Sequence, residues 1–243
     1  MFAPRVALAS LSGESDAEWA RACARPAGAA FLGGIAVDEP TRDAAREMAD
    51  RDRNEFLPDD PVAFVDDQLA ALDDDFLRAG VNVRATSLEP LRAVAAVCAD
   101  HDAVLEVNAH CRQDEMCEAG AGEALLRNAD ALCEQVAAAS DEGAPVSVKV
   151  RADVEGVHLP TLAKAIERAG ADAIHVDAMD SRRVVRDVAA ATDLFLVANN
   201  NVRTREDVFE YFAYGADAVS VGRPSRNPDE VRSIYAAVKE WFL

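Results

Sequence analysis

Short apolar runs rich in β-branched residues recur eight times along this chain, at 6–10, 29–33, 81–85, 104–108, 146–151, 173–176, 194–198 and 218–221, with amphipathic helical stretches between them. Strands joined by helix-length crossovers pair in parallel, and a parallel sheet needs both faces covered. That is why several of the runs are apolar throughout instead of alternating. Eight such units in 243 residues predict a single α/β domain spanning 1–243, a (β/α)8 TIM barrel. Glycine follows the helical stretches before the sixth and eighth runs, at Ala169-Gly170 and Tyr214-Gly215, where a left-handed cap ends a helix. Residues 36–60 break the rhythm. Charges crowd that segment and Pro40, Pro58 and Pro61 punctuate it, so it reads as an insertion after the second strand, at the mouth of the barrel, with no long helix.

In a barrel of this kind chemistry gathers where the strands end. Lysine occurs only at Lys149, Lys164 and Lys239, and Lys149 alone lies in a strand. A compact cation there suits the N1/C2 carbonyl edge of a flavin, where negative charge develops on reduction. A salt bridge at the barrel mouth is the other reading of the same residue. Gly222-Arg223 after the eighth run, with Asn199, Asn200 and Asn201 after the seventh, fall where such barrels build a phosphate site from bared amides and a forked guanidinium. Taken alone, a Gly-Arg pair is more often a plain turn carrying a surface arginine; its position after the eighth run favours the phosphate site.

Cys111 follows the fourth run in a loop where a thiol gains nothing from burial, and it can serve as an acid beside a substrate carbon. His175 ends the sixth run facing the mouth, which predicts a phosphate or pyrimidine contact, whereas His101 and His158 read as surface residues. Cys23, Cys98 and Cys133 lie on apolar helix faces as core fillers. The spacing of His110, Cys111 and Cys117 matches no zinc or iron-sulfur pattern, so no metal site is expected.

The formal net charge is -19 while half the residues are hydrophobic, so the acid coats a folded protein, as in the run at 73–75. Few lysines and many aspartates suggest salt adaptation, a halophilic surface that concentrated salt keeps compact. Such a surface weighs against broad nucleic-acid binding, which needs a basic face. Five cysteines without a C-x-x-C pair argue against a disulfide framework. With no long apolar span and no basic-then-apolar leader, the chain is expected to be soluble and cytoplasmic, without a membrane partner. Nothing in it signals an oligomeric state.

Asn108-x-x-Cys111, followed in register by Ala119-Gly120-Ala121-Gly122-Glu123-Ala124-Leu125-Leu126, resembles the signature of the tRNA-dihydrouridine synthase family. Pro145-Val146-Ser147-Val148-Lys149-Val150-Arg151 is similar to that family's lysine strand, Ala173-Ile174-His175 to its histidine strand, and Gly215-Ala216-Asp217-Ala218 through Gly222-Arg223 to its phosphate-binding end. The likeness is strongest from Gly80 onward. Leu8-Ala9-Ser10-Leu11-Ser12-Gly13 resembles the flavin-cradling first loop, and Asn82 stands where the family usually has a flavin-contacting Gln.

The resemblance implies FMN as cofactor, NADPH or NADH as electron donor, and a uracil ring, in tRNA or in a smaller pyrimidine, as substrate. Lys149 and His175 would contact FMN, with Ser10, Asn82 and Asn108 beside them, and Asn199, Asn200, Gly222 and Arg223 would hold its ribityl phosphate region. Hydride would pass from flavin N5 to C6 of the ring, and Cys111 would protonate C5. Three departures stand against this. The family's Gly-Cys-Pro is here His110-Cys111-Arg112, the Arg two residues beyond the strand-six His is Asp177, and the family's C-terminal helical domain, which grips tRNA, has no expected counterpart. They leave open a non-catalytic flavin- or phosphate-binding barrel, and an enzyme like dihydroorotate or dihydropyrimidine dehydrogenase.

Overall fold

Eight strands, β1 (Val6–Leu8), β2 (Ala29–Ala36), β3 (Arg78–Arg84), β4 (Val104–Ala109), β5 (Val146–Arg151), β6 (Ala173–Asp177), β7 (Phe195–Asn199) and β8 (Ala218–Val221), close into a barrel in chain order. Every pairing is parallel, including β1 with β8. The computed structural model describes residues 1–72 and 76–243, so the acidic run at 73–75 lies outside the described residues. Helices α1 (Ala17–Ala22), α2 (Glu39–Asp50), α3 (Pro61–Ala70), α4 (Leu88–Asp100), α5 (Asp114–Glu118), α6 (Ala124–Arg127) and α7 (Ala129–Asp141) precede β5. Behind it come α8 (Leu159–Arg168), α9 (Val184–Ala189), α10 (Arg205–Ala213) and α11 (Pro228–Trp241). No helix among the described residues is long and apolar enough to cross a membrane.

Alternation along each strand divides the molecule into two interiors. Residues such as Val81, Leu105, Val107, Val148, Ile174, Val176 and Val219 point outward and join one apolar cluster with the helices. The opposite phase points into the barrel, where side chains stack in layers. Its lowest layer is apolar, built on Phe2, Ala7, Ala29, Phe31, Val104, Val197 and Ala218. Above it the strands turn polar: Asn82, Glu106, Ser147, His175 and Ser220 are buried, and one pleat higher come Arg84, Asn108, Lys149, Asp177 and Asn199. The outward phase holds the fold together, and the inward phase is free to carry chemistry.

Strand β2 runs three residues past its expected end, because Gly33 and Gly34 carry a register shift against β3 instead of opening a loop. The segment 36–60 also differs from its reading as one without a long helix, since it holds the twelve-residue α2. Asp38 caps α2 by accepting the Thr41 N–H at 3.2 Å, and Pro40 sits in the first turn, where a missing N–H has no intrahelical partner to lose. Helix α2 then buries Thr41, Ala44, Ala45 and Met48 over twelve residues.

Candidate functional site

A cavity of about 760 Å³ opens at the C-terminal ends of the strands, within the range of small-molecule and cofactor sites. Ser10, Asn82, Asn108, Cys111, Lys149, Asn199, Asn200, Gly222 and Arg223 all line it. Six strand ends and the loops behind them therefore bring these residues to one place.

Lys149 is 2% exposed, and among the described residues its Nζ has Ser10 Oγ at 3.5 Å as its only hydrogen-bond partner. Burial pushes the ammonium pKa down, and the carboxylates of Glu106 and Asp177 oppose that shift. No carboxylate is directly bonded to this buried cation among the described residues, so its geometry does not match the salt-bridge reading. Across the mouth, His110 Nε2 lies 3.3 Å from Asp177 Oδ2. Burial favours the uncharged Asp177, but the hydrogen bond and charge of His110 outweigh it and bring the carboxyl to about 2. Burial lowers the His110 pKa in turn, and its Nδ1 is buried without a partner.

The loop that presents Cys111 is fixed from three sides. Asn108 Oδ1 accepts the Cys111 N–H at 3.0 Å and the His110 N–H at 3.2 Å. The Cys111 carbonyl accepts the Glu123 N–H at 2.7 Å, and Gly122, at φ +59°, lies so close that a Cβ there would sit 2.3 Å from that carbonyl oxygen. This close approach gives the Ala119-Gly120-Ala121-Gly122 motif its physical meaning. Contrary to its sequence reading, Cys111 is buried: it packs with Ala44 and Met48 of α2, Met116 of α5 and Ala121, while still lining the cavity.

His175 is the correction among the expected cofactor contacts. It pairs in register with Lys149, but the short imidazole stays in the layer where its strand places it, whereas the long lysine stem rises to the mouth. His175 is fully buried, with Nδ1 2.7 Å from Glu106 Oε2 and Nε2 2.7 Å from Ser220 Oγ, so neither nitrogen is left for a ligand.

Beyond β7 and β8 the walls change character. Asn200 and Asn201 adopt left-handed backbone at φ 89° and 51°, and the Tyr211 hydroxyl donates to the Asn200 carbonyl at 2.8 Å. Gly222 leads into a turn of 3-10 helix (Arg223–Arg226), and nothing lies within 4 Å of where its Cβ would be. The overall charge of -19 hides a local reversal: Lys149 and seven arginines line the cavity, against Glu14, Asp52 and Asp177. Arg84 and Arg151 are tied to Glu55 and Glu123, and Arg226 to Glu14. Arg53, Arg112, Arg203 and Arg223 are exposed, and no acidic partner binds their guanidinium groups among the described residues. The acidic composition concealed this basic rim because its members come from separate loops. Sequence reasoning also passed over Glu106, although a carboxylate inside an apolar run was signal enough.

Comparison with known proteins gives the family and the fold. The dihydrouridine synthase (Dus) family matches residues 68–240, from the end of α3 through α11. An uncharacterized protein of Methanocaldococcus jannaschii is 26% identical over 232 residues, covering 90% of this chain and 88% of its own. The tRNA-dihydrouridine synthase B proteins of Xanthomonas axonopodis pv. citri and Xanthomonas campestris pv. campestris are each 24% identical over 239 residues, 93% of this chain and 67% of theirs. Among solved structures, a chain of the tryptophan synthase complex from Pyrococcus furiosus superposes with a TM-score of 0.60 at 15% identity, covering 100% of this chain and 99% of that one, which is a likeness of fold alone. With most of the barrel matched, from the strand that bears Asn82 to the helix behind Arg223, this chain belongs to the dihydrouridine synthase family, a family of flavin-dependent oxidoreductases.

Proposed function

We propose that the protein reduces the C5–C6 bond of a uracil ring in RNA, with FMN seated at the barrel mouth and NADPH or NADH as the electron source. The observation that carries this reading is the buried Lys149 ammonium, which shares one cavity with Cys111 and has no carboxylate bonded to it among the described residues. The residues fit FMN by their donor set. The buried ammonium suits the electron-rich edge of the ring, and the open space at Gly222 beside exposed Arg223 suits a phosphate dianion. When bound, FMN supplies the two-electron reduction of the pyrimidine.

The chain's own residues do the rest. Lys149 compensates negative charge in a site where burial strengthens every electrostatic interaction. Asn108 holds the Cys111 loop at the cavity, from which the thiol delivers a proton to C5. Asn82, bonded to Asn108 on the same wall, and Ser10, beside the Lys149 ammonium, add polar groups to the cavity. Exposed Arg53, Arg112 and Arg203 flank the opening and suit the phosphodiesters on either side of a nucleotide held in it, which favours RNA over a free pyrimidine.

Protein isolated in concentrated salt should carry a flavin by absorbance and mass, and with NADPH should convert uridine to dihydrouridine in an unmodified tRNA transcript. Absence of FMN binding in fluorescence titration overturns the cofactor assignment. Reduction of free uracil or orotate with an inert transcript overturns the RNA assignment.

A further inference from the structure

Two hydrogen-bonded chains meet at one carboxylate beneath the cavity. Glu106, in the middle of β4, is fully buried. On one side Asn82 Nδ2 donates to its Oε1 at 2.7 Å, Asn108 Nδ2 donates to Asn82 Oδ1 at 2.7 Å, and Asn108 Oδ1 holds the backbone of His110 and Cys111. On the other, His175 Nδ1 meets Oε2 at 2.7 Å, His175 Nε2 meets Ser220 Oγ at 2.7 Å, and Asn199 Nδ2 donates to Ser220 Oγ at 2.6 Å.

An ionised carboxylate only accepts, and this dictates the polarity of everything bonded to it. His175 must carry its proton on Nδ1, Ser220 then donates to Nε2, and Asn199 donates to Ser220. Asn82 and Asn108 must both direct their amide nitrogens toward Glu106, which leaves the Asn108 oxygen for the Cys111 loop. Burial raises the Glu106 pKa, but the neighbouring His175 and Lys149 outweigh it and hold the carboxyl below its usual range.

We propose that Glu106 is the positioning residue of this site: as the common acceptor of both chains, it orients Asn108 and thereby the Cys111 loop on one wall, and Asn199 on the other. Glu106 does not line the cavity, so it acts through those residues and not on a ligand. Its kinetic consequence rests on the function proposed above, whereas its structural consequence does not.

Glu106→Gln keeps the shape but exchanges one acceptor for a donor. If the Gln oxygen serves His175, its nitrogen faces the Asn82 nitrogen, and Asn82 and Asn108 must turn over. If the oxygen serves Asn82, the proton of His175 must move to Nε2. One arm therefore reverses in either case. The test is a 15N NMR measurement of the His175 ring and of the Asn82 and Asn108 side-chain amides in cofactor-free protein, with turnover of a tRNA transcript measured on the FMN-loaded enzyme. Glu106→Gln should reverse one arm and lower kcat by about 10- to 100-fold, as losses of supporting groups around a reactive site do, with KM for RNA little changed. Glu106→Asp keeps both acceptor oxygens and should restore the original polarity and most of kcat. Unchanged spectra and kcat in Glu106→Gln overturn the proposal, as does a Glu106→Asp variant as impaired as the Gln one. If Glu106→Gln does not fold, the Asp variant alone decides: retained polarity and kcat support the role, and their loss overturns it. Failure of the parent protein to bind FMN removes the kinetic arm only.

Discussion

His110 Nε2 and Asp177 Oδ2 stand 3.3 Å apart across the barrel mouth, one carried on the loop after β4 and the other at the end of β6. Both positions are ones where the family resemblance breaks, His110 standing for its glycine and Asp177 for its arginine. Their ionisation ties the pair to acid stability. The Asp177 pKa is depressed to about 2, so its stabilisation is complete above the unfolded value near 4 and is lost as pH falls toward 2. The lowered His110 pKa acts with the same sign, beginning at higher pH, because the unfolded imidazole takes up its proton first. Urea unfolding between pH 7 and pH 3 should therefore show stability falling on acidification. Asp177→Asn should flatten the lower part of that fall, by roughly 2 kcal/mol at most. A parallel pH dependence in the variant refutes the pairing.

Cys111→Ala removes the proposed proton donor while leaving the lysine and phosphate walls intact. Pyrimidine reduction should drop by about 100-fold or more, and flavin reduction by NADPH should continue. Stopped-flow measurement of the two half-reactions separates them, and an equal loss in both refutes the role of the thiol as acid.

Gly122→Ala places a methyl group 2.3 Å from the Cys111 carbonyl oxygen on backbone at φ +59°. The loop must shift, at a cost of about 1–3 kcal/mol in unfolding free energy. Gly156→Ala shares the positive φ with nothing within 4 Å, so it carries the backbone strain without the clash. The Gly122 variant should lose uracil reduction selectively. Equal behaviour of the two variants in turnover means that Gly122 does not position the thiol.

Arg53, Arg112 and Arg203 form the part of the rim proposed to meet phosphodiesters. Each arginine-to-alanine change should weaken transcript binding and reduce the slope of log affinity against log salt by about 1. Equilibrium binding across a salt series reads this directly, and slopes identical to the parent protein rule out the rim as the RNA contact.

Outside that rim the charge is overwhelmingly acidic. Melting temperature should rise with KCl well beyond 0.1 M, where the Debye length is still about 10 Å, as like charges are screened. A flat response across that series removes the argument for salt adaptation.

What the sequence made legible followed from the outward phase of the strands. β5 and β8 fall at their expected bounds because Val146, Val148 and Val150, and Val219 and Val221, mark them against the helices. Lys149 stood out because lysine is scarce elsewhere, and Cys111 because its motif survives around it. The inward phase was harder to see. Glu106 and His175 look like single polar residues in apolar runs, and only barrel closure shows that they face each other across 69 positions of sequence. The arginines were hidden for the same reason, since the segments after β2, β4, β7 and β8 contribute them and their proximity is a property of the closed ring.

That polar layer also bears on how the barrel forms. The carboxylate in β4 takes its partners from β3, β5 and β6, and the last of these needs β8 to satisfy its far nitrogen. A ring with a strand missing, or slipped by one residue, leaves an ion in a dry interior with half its donors. Nearly complete folding intermediates are thereby penalised, so the last strand to dock completes the reaction centre in the same event that seals the barrel.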